Sequence, residues 1–121
     1  MIKLYGIPNC DTMKKARTWL DKHHIEYVFH DYKKLGVPEK ELKRWVKDLG
    51  WETLLNRKGT TWRKLDESIK ENINQTSAIK LMLENPSIIK RPVLDADGKL
   101  EAGFSDESYK IIVTRQPITH K

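Results

Sequence analysis

The first thirty residues are patterned as strand, turn, helix and strand, and this order leaves the chain few folds to adopt. Apolar and polar residues alternate over residues 2–5, as in a half-buried β-strand. Gly6, Pro8 and Asn9 are turn-forming residues. The helix predicted after them carries its apolar residues on one face, namely Met13, Ala16 and Leu20. Residues 27–30, rich in β-prone side chains, then predict the second strand of a βαβ unit.

The only cysteine, Cys10, lies between that turn and that helix. A thiol at a helix N-terminus faces unpaired backbone N–H groups and the positive end of the helix dipole, and both favour the thiolate. Asp11 opposes this effect, whereas Lys14 and Lys15 add to it. The alternative is a buried structural cysteine, but such residues lie in apolar stretches and Cys10 lies in a polar turn. We therefore predict a functional thiol, more ionised than a free cysteine with its pKa of about 8.5.

Length, charge and cysteine usage restrict the class of protein. A chain of 121 residues predicts one domain, and a single cysteine cannot form an internal disulfide, which favours a reducing cytoplasm. No apolar run is long enough for a signal peptide or a membrane span, so we expect a soluble protein without a membrane partner. The net charge is +6, but the basic residues are scattered in pairs. This distribution disfavours a nucleic-acid partner.

The middle of the chain is predicted to be helical. Its clearest stripe of apolar residues consists of Leu42, Trp45, Val46 and Leu49. Pro38 suits the first turn of this helix, and Gly50 suits its C-terminal stop. The patterns that follow predict a short helix at 51–55, a loop at 59–61, one or two helical turns at 67–74, and a helix capped by Thr76 or Ser77 and ended by residues 85–86.

The last third predicts two strands and a helix. Residues 92–94 and 99–102 are the predicted strands, and residues 95–98 give a hairpin signal between them. Ser105 is placed to cap the final helix. The complete order, βαβ, several helices and ββα, predicts an α/β protein with a thioredoxin-like mixed sheet and a helical insertion. Cys10 then lies at the carboxyl end of the first strand, where open α/β sheets bind their ligands.

Two runs of the chain are specific motifs, namely GTTWRKL at 59–65 and KRPVL at 90–94. Further distinctive segments are residues 5–12, 29–34, 50–52 and 54–56. Together they resemble the motifs of the arsenate reductase (ArsC)/Spx superfamily, most closely its YffB-like branch. The resemblance implies a single ArsC-like domain over residues 1–121. Its thioredoxin-like core would take in about residues 1–35 and 88–121, and the helical insert about residues 36–87.

The resemblance also implies a site and a chemistry. Cys10 would be the nucleophile, and glutathione the co-substrate, with no bound cofactor. A small thiol or disulfide would be the substrate, and glutaredoxin is a possible partner. Arg91 corresponds to the arginine of the family's Arg-Pro motif, whose peptide bond is cis. The residues expected to bind substrate or glutathione are Arg91, Thr12, Asn9, Arg57, Lys58 and Pro92. Thr12 can bond the thiolate or cap the helix.

Three departures from the family pattern bear on the substrate. Arsenate reductases surround the thiol with three arginines. Counting back from Trp62, Lys58 falls at the first arginine's usual place, but the adjacent Arg57 could take its role instead, and Phe104 stands near the place of the third. Lysine cannot make the two-pronged contact of a guanidinium, so arsenate is disfavoured as the substrate. Met13 replaces the second cysteine of the Cys-x-x-Cys motif of Spx regulators, which disfavours a disulfide switch.

Two functions follow as expectations. The first is a glutathione-dependent thiol–disulfide reductase that uses a single nucleophilic cysteine. The alternative is an Spx-like, non-catalytic binding or regulatory module that docks on a protein partner. None of the four histidines stands in a zinc-ligand pattern with Cys10, so no metal site is expected.

Overall fold

A computed structural model describes residues 2–8 and 10–114. Four strands form one mixed sheet in the order β2-β1-β3-β4. The strands are β1 (Ile2–Gly6), β2 (Tyr27–Asp31), β3 (Val93–Ala96) and β4 (Lys99–Ala102). Strand β1 pairs in parallel with β2 and antiparallel with β3, which in turn pairs antiparallel with β4. The mixed sheet expected from the sequence is confirmed.

Helices occupy most of the remaining described chain. Helix α1 (Asp11–Lys22) connects β1 to β2, and α8 (Asp106–Thr114) follows the sheet. The helices between β2 and β3 are α2 (Tyr32–Leu35), α3 (Glu39–Leu49), α4 (Trp51–Leu54), α5 (Thr60–Arg63), α6 (Glu67–Glu71), α7 (Gln75–Glu84) and a 3-10 turn, Pro86–Ile88. The order βαβ, helices, ββα is the one that the sequence predicts.

The chain divides into two compact units. The first is drawn from residues 1–31 and 91–121 and contains the sheet, α1 and α8. The second is drawn from residues 32–90 and contains the remaining helices. The assignment of the whole chain to a single domain stays a prediction.

The core of the first unit joins the sheet to α1 and α8. The predicted apolar face of α1 is buried, with Met13, Ala16 and Leu20 fully enclosed. These side chains belong to one apolar cluster with Leu4 of β1, Leu94 of β3 and Tyr109 of α8. Because α1 packs on the sheet through this face, its first turn is held beside the end of β1.

The core of the second unit is built around α3. The predicted stripe is buried at Leu42, Trp45 and Val46, and α3 contacts α4 and α7. Gly50 ends the helix with φ +88°, a conformation that L-residues rarely adopt. Pro38 is the residue before the helix rather than a member of its first turn.

Three local predictions differ from the structure. Residues 60–63 form a helical turn, not a loop, because Gly59 begins the turn and its carbonyl accepts the N–H of Arg63. Helix α7 is capped by Asn74 rather than by Thr76 or Ser77. The Asn74 side chain accepts the N–H of Ser77, and the Ser77 side chain accepts the N–H of Asn74. Strand β3 runs on to Ala96, which shortens the hairpin turn.

The predicted cap of the last helix is confirmed. The N–H of Ser108 donates to the hydroxyl oxygen of Ser105 at 3.0 Å. Among the described residues, no helix is long and apolar enough to cross a membrane.

A close approach between Gly6 and Met13 fixes the first turn of α1 against the end of β1. A Cβ atom on Gly6 would collide with the Met13 sulfur, and the Met13 side chain is fully buried. We expect Gly6→Ala to lower the free energy of unfolding by about 1–3 kcal/mol, because the buried side chain must move. Chemical denaturation of the variant measures this loss.

A double-mutant cycle isolates the cause. In a Met13→Ala background the obstructing sulfur is gone, so Gly6→Ala should cost little further stability. An equal cost in both backgrounds would show that the contact is not responsible.

Candidate functional site

Cys10 is the N-cap residue of α1 and thus lies at the helix N-terminus, where the sequence predicts it. Its backbone is extended, with φ −133° and ψ 132°, and its carbonyl oxygen accepts the N–H of Lys14 at 3.0 Å. The side chain is partly exposed and makes no disulfide. A partly exposed thiol at the start of a helix is open to reaction, unlike a buried structural cysteine.

The surroundings of Cys10 favour its thiolate. Partial burial raises the pKa of the Cys10 thiol, but the backbone N–H of Met13, the Arg91 side chain, the N–H of Thr12 and the positive charge of Arg91 together lower it below the ordinary value. Hydrogen bonds to the charged form and a nearby cation therefore outweigh desolvation. The predicted activation of the thiol has this physical basis.

Thr12 interacts with the thiol through its backbone N–H and does not cap the helix. Helix α1 starts at Asp11, so Thr12 lies inside the first turn and is not the cap. Its N–H and that of Met13 are the two backbone donors that act on the Cys10 sulfur. From the sequence alone, Met13 is predicted only as a core residue. A backbone N–H has no side-chain signature, so only the assignment of Cys10 to the cap could have revealed it.

Arg91 reaches Cys10 because of the register between β1 and β3. Tyr5 pairs with Val93, so the chain just before β3 lies beside the chain that follows β1. The Arg91 side chain hydrogen-bonds the thiol there. The Arg91–Pro92 peptide bond is cis, as the resemblance implies, and the Pro92 carbonyl accepts the N–H of Gly103 at 2.8 Å.

The other predicted site residues have different positions. Asn9 lies outside the described residues. Arg57 and Lys58 belong to the second unit, in the turn between α4 and α5. The Arg57 guanidinium lies 5.9 Å from the ring of Trp51 and 5.7 Å from that of Trp62. A role for Arg57, Lys58 and Asn9 in binding stays a prediction.

Phe104, at the place expected for the third arginine, is an aromatic packing residue. Its ring meets that of Tyr109 edge-on, with the ring centres 4.7 Å apart. Tyr109 is fully buried and also contacts Trp19. A phenyl ring offers no hydrogen-bond donor to an oxyanion, so the substitution changes the chemistry available beside the site.

The described residues offer no metal centre. Within residues 2–8 and 10–114, no three His, Cys, Asp or Glu side chains come together in a way that could hold an ion.

Comparison with known proteins decides the family. Residues 5–112 match the family model described as "ArsC family". The chain belongs to the ArsC family. Its membership makes the arrangement around Cys10 part of an arsenate reductase-like fold, and the thioredoxin-like α/β class predicted from the sequence is confirmed.

Individual ArsC-family relatives cover nearly the whole chain. A solved YffB protein is 53% identical, with a TM-score of 0.89, covering 93% of this chain and 98% of its own. An arsenate reductase (ArsC) related protein from Brucella melitensis is 55% identical, with a TM-score of 0.75, and the match covers 91% of this chain and 92% of that protein. The global transcriptional regulator Spx 2 of Lactococcus lactis is 30% identical over 117 residues, which are 95% of this chain and 88% of that protein.

The contact between Arg91 and Cys10 predicts a measurable change in thiol ionisation. We expect Arg91→Gln to raise the Cys10 pKa, because the variant loses the positive charge beside the sulfur. Alkylation by iodoacetamide, followed as a function of pH, should become slower below the pKa of free cysteine. Lys90→Gln is the matched control, since it removes the neighbouring exposed cation, and its alkylation profile should not move.

The same substitution should change how stability depends on pH. The Cys10 pKa is lower in the folded than in the unfolded chain, so thiolate formation stabilises the fold at high pH. This stabilisation is lost as pH falls through the folded pKa. The stability gap between wild type and Arg91→Gln should therefore widen as pH rises towards about 8.5. Unchanged alkylation and a pH-independent gap would contradict the contact.

Proposed function

We propose that this ArsC-family protein is a glutathione-dependent thiol–disulfide reductase with Cys10 as its nucleophile. The observation that carries the proposal is the environment of Cys10 at the N-cap of α1. Two backbone N–H groups and Arg91 lower the pKa of a partly exposed thiol there. A thiolate is the reactive form of cysteine, and cysteines with a lowered pKa are typical of catalytic positions.

The reaction proceeds by thiol–disulfide exchange. The Cys10 thiolate attacks one sulfur of a substrate disulfide, so that a mixed disulfide forms and the other half of the substrate leaves as a thiolate. A first glutathione attacks the Cys10 sulfur, releases the second half of the substrate and remains attached. A second glutathione attacks this disulfide and frees Cys10. The substrate gains two electrons and two protons, and two glutathiones become glutathione disulfide.

The resolving thiol must come from outside the chain. Cys10 is the only cysteine, so no internal partner can complete the exchange. Glutathione supplies this thiol in the proposed cycle, and a glutaredoxin is the protein that could replace it in the final step. Such a cycle requires a reducing compartment, which is the reason for proposing a cytoplasmic location.

Arg91 is the proposed anchor for glutathione. Its guanidinium is charged at every working pH and can hold a carboxylate with two hydrogen bonds. Its hydrogen bond to the thiol would bring that carboxylate close to the reacting sulfur. Pro92 and the N–H of Thr12 would complete the surroundings, with Asn9 and the Arg57–Lys58 pair as further proposed contacts.

The alternative function is docking on a protein partner, as the name of the Lactococcus lactis relative suggests for that protein. The second cysteine expected of an Spx regulator is absent here, because Met13 occupies that place and is buried. A binding module also has no need of a depressed thiol pKa. The environment of Cys10 therefore favours the reductase.

Cys10→Ser tests the catalytic role. We expect the variant to lose all glutathione-dependent reduction of a small disulfide such as bis(2-hydroxyethyl) disulfide. Its melting temperature should stay close to that of the wild type, because the side chain is only partly buried. Activity that survives the substitution would exclude Cys10 as nucleophile. A wild-type protein that shows no turnover, and whose Cys10 reacts like a free cysteine, would favour the binding module.

Arsenate should be a poor substrate. Phe104 supplies no hydrogen-bond donor where a third arginine is expected. A lysine at the place of the first arginine cannot imitate the paired N–H donors of a guanidinium. We expect arsenate turnover with glutathione and glutaredoxin to be at least about tenfold slower than disulfide reduction, a difference of roughly 1.4 kcal/mol in barrier height. Rapid arsenate turnover by the wild type would overturn this expectation.

A further inference from the structure

A groove runs along the exposed side of α1 and begins one helical turn from Cys10. Its volume is about 420 Å³, and we call it the α1 groove. Trp19 and Phe104 form its apolar walls, and Lys14, Lys15 and Lys22 stand around them. Thr18 and Asp106 complete the lining. All of these residues belong to the first unit.

The apolar walls of the α1 groove are held in place by the core. Trp19 and Phe104 both contact the ring of Tyr109, at centre distances of 5.6 and 4.7 Å. Burial, followed by the negative charge of Glu101, raises the pKa of Tyr109 far above its usual range, so this ring stays uncharged. A surface whose aromatic rings are already fixed loses little entropy when a ligand covers it.

The charge of the α1 groove is positive. Three lysines line it, against one carboxylate, and that carboxylate of Asp106 accepts a hydrogen bond from the indole N–H of Trp19. The lysines are exposed, so their charges are free to meet a ligand. The complementary ligand combines an apolar side chain with several negative charges.

The position of the α1 groove connects it to the thiol. Lys14 lies four residues after Cys10, and residues at this spacing lie above one another on a helix. From Lys14 to Lys22 the helix rises about 12 Å, which matches about four residues of an extended peptide. A peptide joined to the Cys10 sulfur could therefore continue directly into the groove.

We propose that the α1 groove binds an acidic peptide segment with an apolar anchor, next to the disulfide of a protein substrate. This inference rests on the proposed thiol chemistry of Cys10 and names its substrate class. Glutathione does not fit the groove in this way, because it has no apolar side chain for Trp19 and Phe104. The apolar anchor would cover the accessible part of Phe104 and the small exposed part of Trp19, of which 7% is accessible, and the acidic residues would pair with the lysines.

Synthetic peptides with an activated disulfide test the proposal. The probe is a cysteine followed by phenylalanine and three glutamates, with its sulfur joined to pyridine-2-thiol. Attack by the Cys10 thiolate forms a Cys10–peptide disulfide and breaks the bond to the pyridyl sulfur. Pyridine-2-thiolate leaves with the electron pair, takes a proton from water and is followed by its absorbance. Comparison probes carry lysines instead of glutamates, or alanine instead of phenylalanine.

The variant pair is matched in residue type and spacing. Thr18→Glu/Lys22→Glu reverses the charge in the α1 groove, on exposed positions of α1. Thr76→Glu/Lys80→Glu makes the same changes on exposed positions of α7, which do not line the groove. Both variants should react with the uncharged 2-hydroxyethyl 2-pyridyl disulfide within about twofold of the wild type, since neither touches Cys10.

The wild type should react about tenfold faster with the acidic aromatic peptide than with the basic one, and the preference should fall with added salt. Replacing the phenylalanine of the probe should slow the reaction several-fold. The α1 variant should lose most of the charge preference, and the α7 variant should keep it. Equal rates for all peptides, or a preference that survives in the α1 variant, would overturn the proposal.

The uncharged reagent separates this failure from failure of the proposed function. If that reagent reacts with Cys10 no faster than with a free cysteine at neutral pH, the activated thiol is refuted. If it reacts rapidly while the peptides show no preference, only the peptide-binding role of the α1 groove is refuted. The ratio of the reaction rates of two peptides tests the groove in either case, because both peptides react with the same Cys10 thiol and its own reactivity cancels.

Discussion

The pairing of β1 with β3 is the contact on which the candidate site depends. Tyr5 lies opposite Val93, so the residues that follow β1 and those that precede β3 meet at one end of the sheet. Cys10 and Arg91 are separated by most of the chain, yet their side chains form a hydrogen bond at this end of the sheet. Without this antiparallel register, the thiol would have only the start of its own helix to stabilise its charge.

The ionisation of Cys10 is a balance of opposing effects. Burial raises its pKa, and two backbone N–H groups and Arg91 lower it by a greater amount. The backbone donors are held by the packing of Met13 under Gly6, where no Cβ atom could be accommodated without movement. The core of the first unit thus supports the chemistry of the thiol as well as the stability of the fold.

Phe104 illustrates how one departure from a family pattern changes two properties. The missing guanidinium removes a donor for oxyanions, and the phenyl ring joins Trp19 and Tyr109 in an aromatic cluster. The same ring then forms a wall of the α1 groove. The two proposals, that arsenate is a poor substrate and that the substrate is a peptide-bearing disulfide, therefore both depend on this ring.

Periodicity was sufficient for the regular elements. The stripe at Leu42, Trp45 and Val46 and the apolar face of α1 are buried as predicted, because these patterns match the period of a helix. Short polar segments were less predictable. The turn at residues 60–63 depends on a backbone bond from Arg63 to Gly59, and the α7 cap on a reciprocal bond between Asn74 and Ser77. Hydrogen bonds of this kind are hard to predict from the sequence, because many residue types can form them.

The sequence by itself determined the βαβ and ββα order, the place of Cys10 at a helix start, and the family through motifs such as KRPVL. These follow from local periodicity, turn chemistry and adjacent residues. Only the tertiary structure decided that Met13 and Thr12 act through backbone N–H groups, and that Phe104 and Trp19 share a groove with three lysines. It also supplied the hydrogen bond by which Arg91, already predicted as a site residue, reaches the thiol. Those contacts join residues far apart in the chain or use atoms common to every residue, so strand register and helix packing alone fix them.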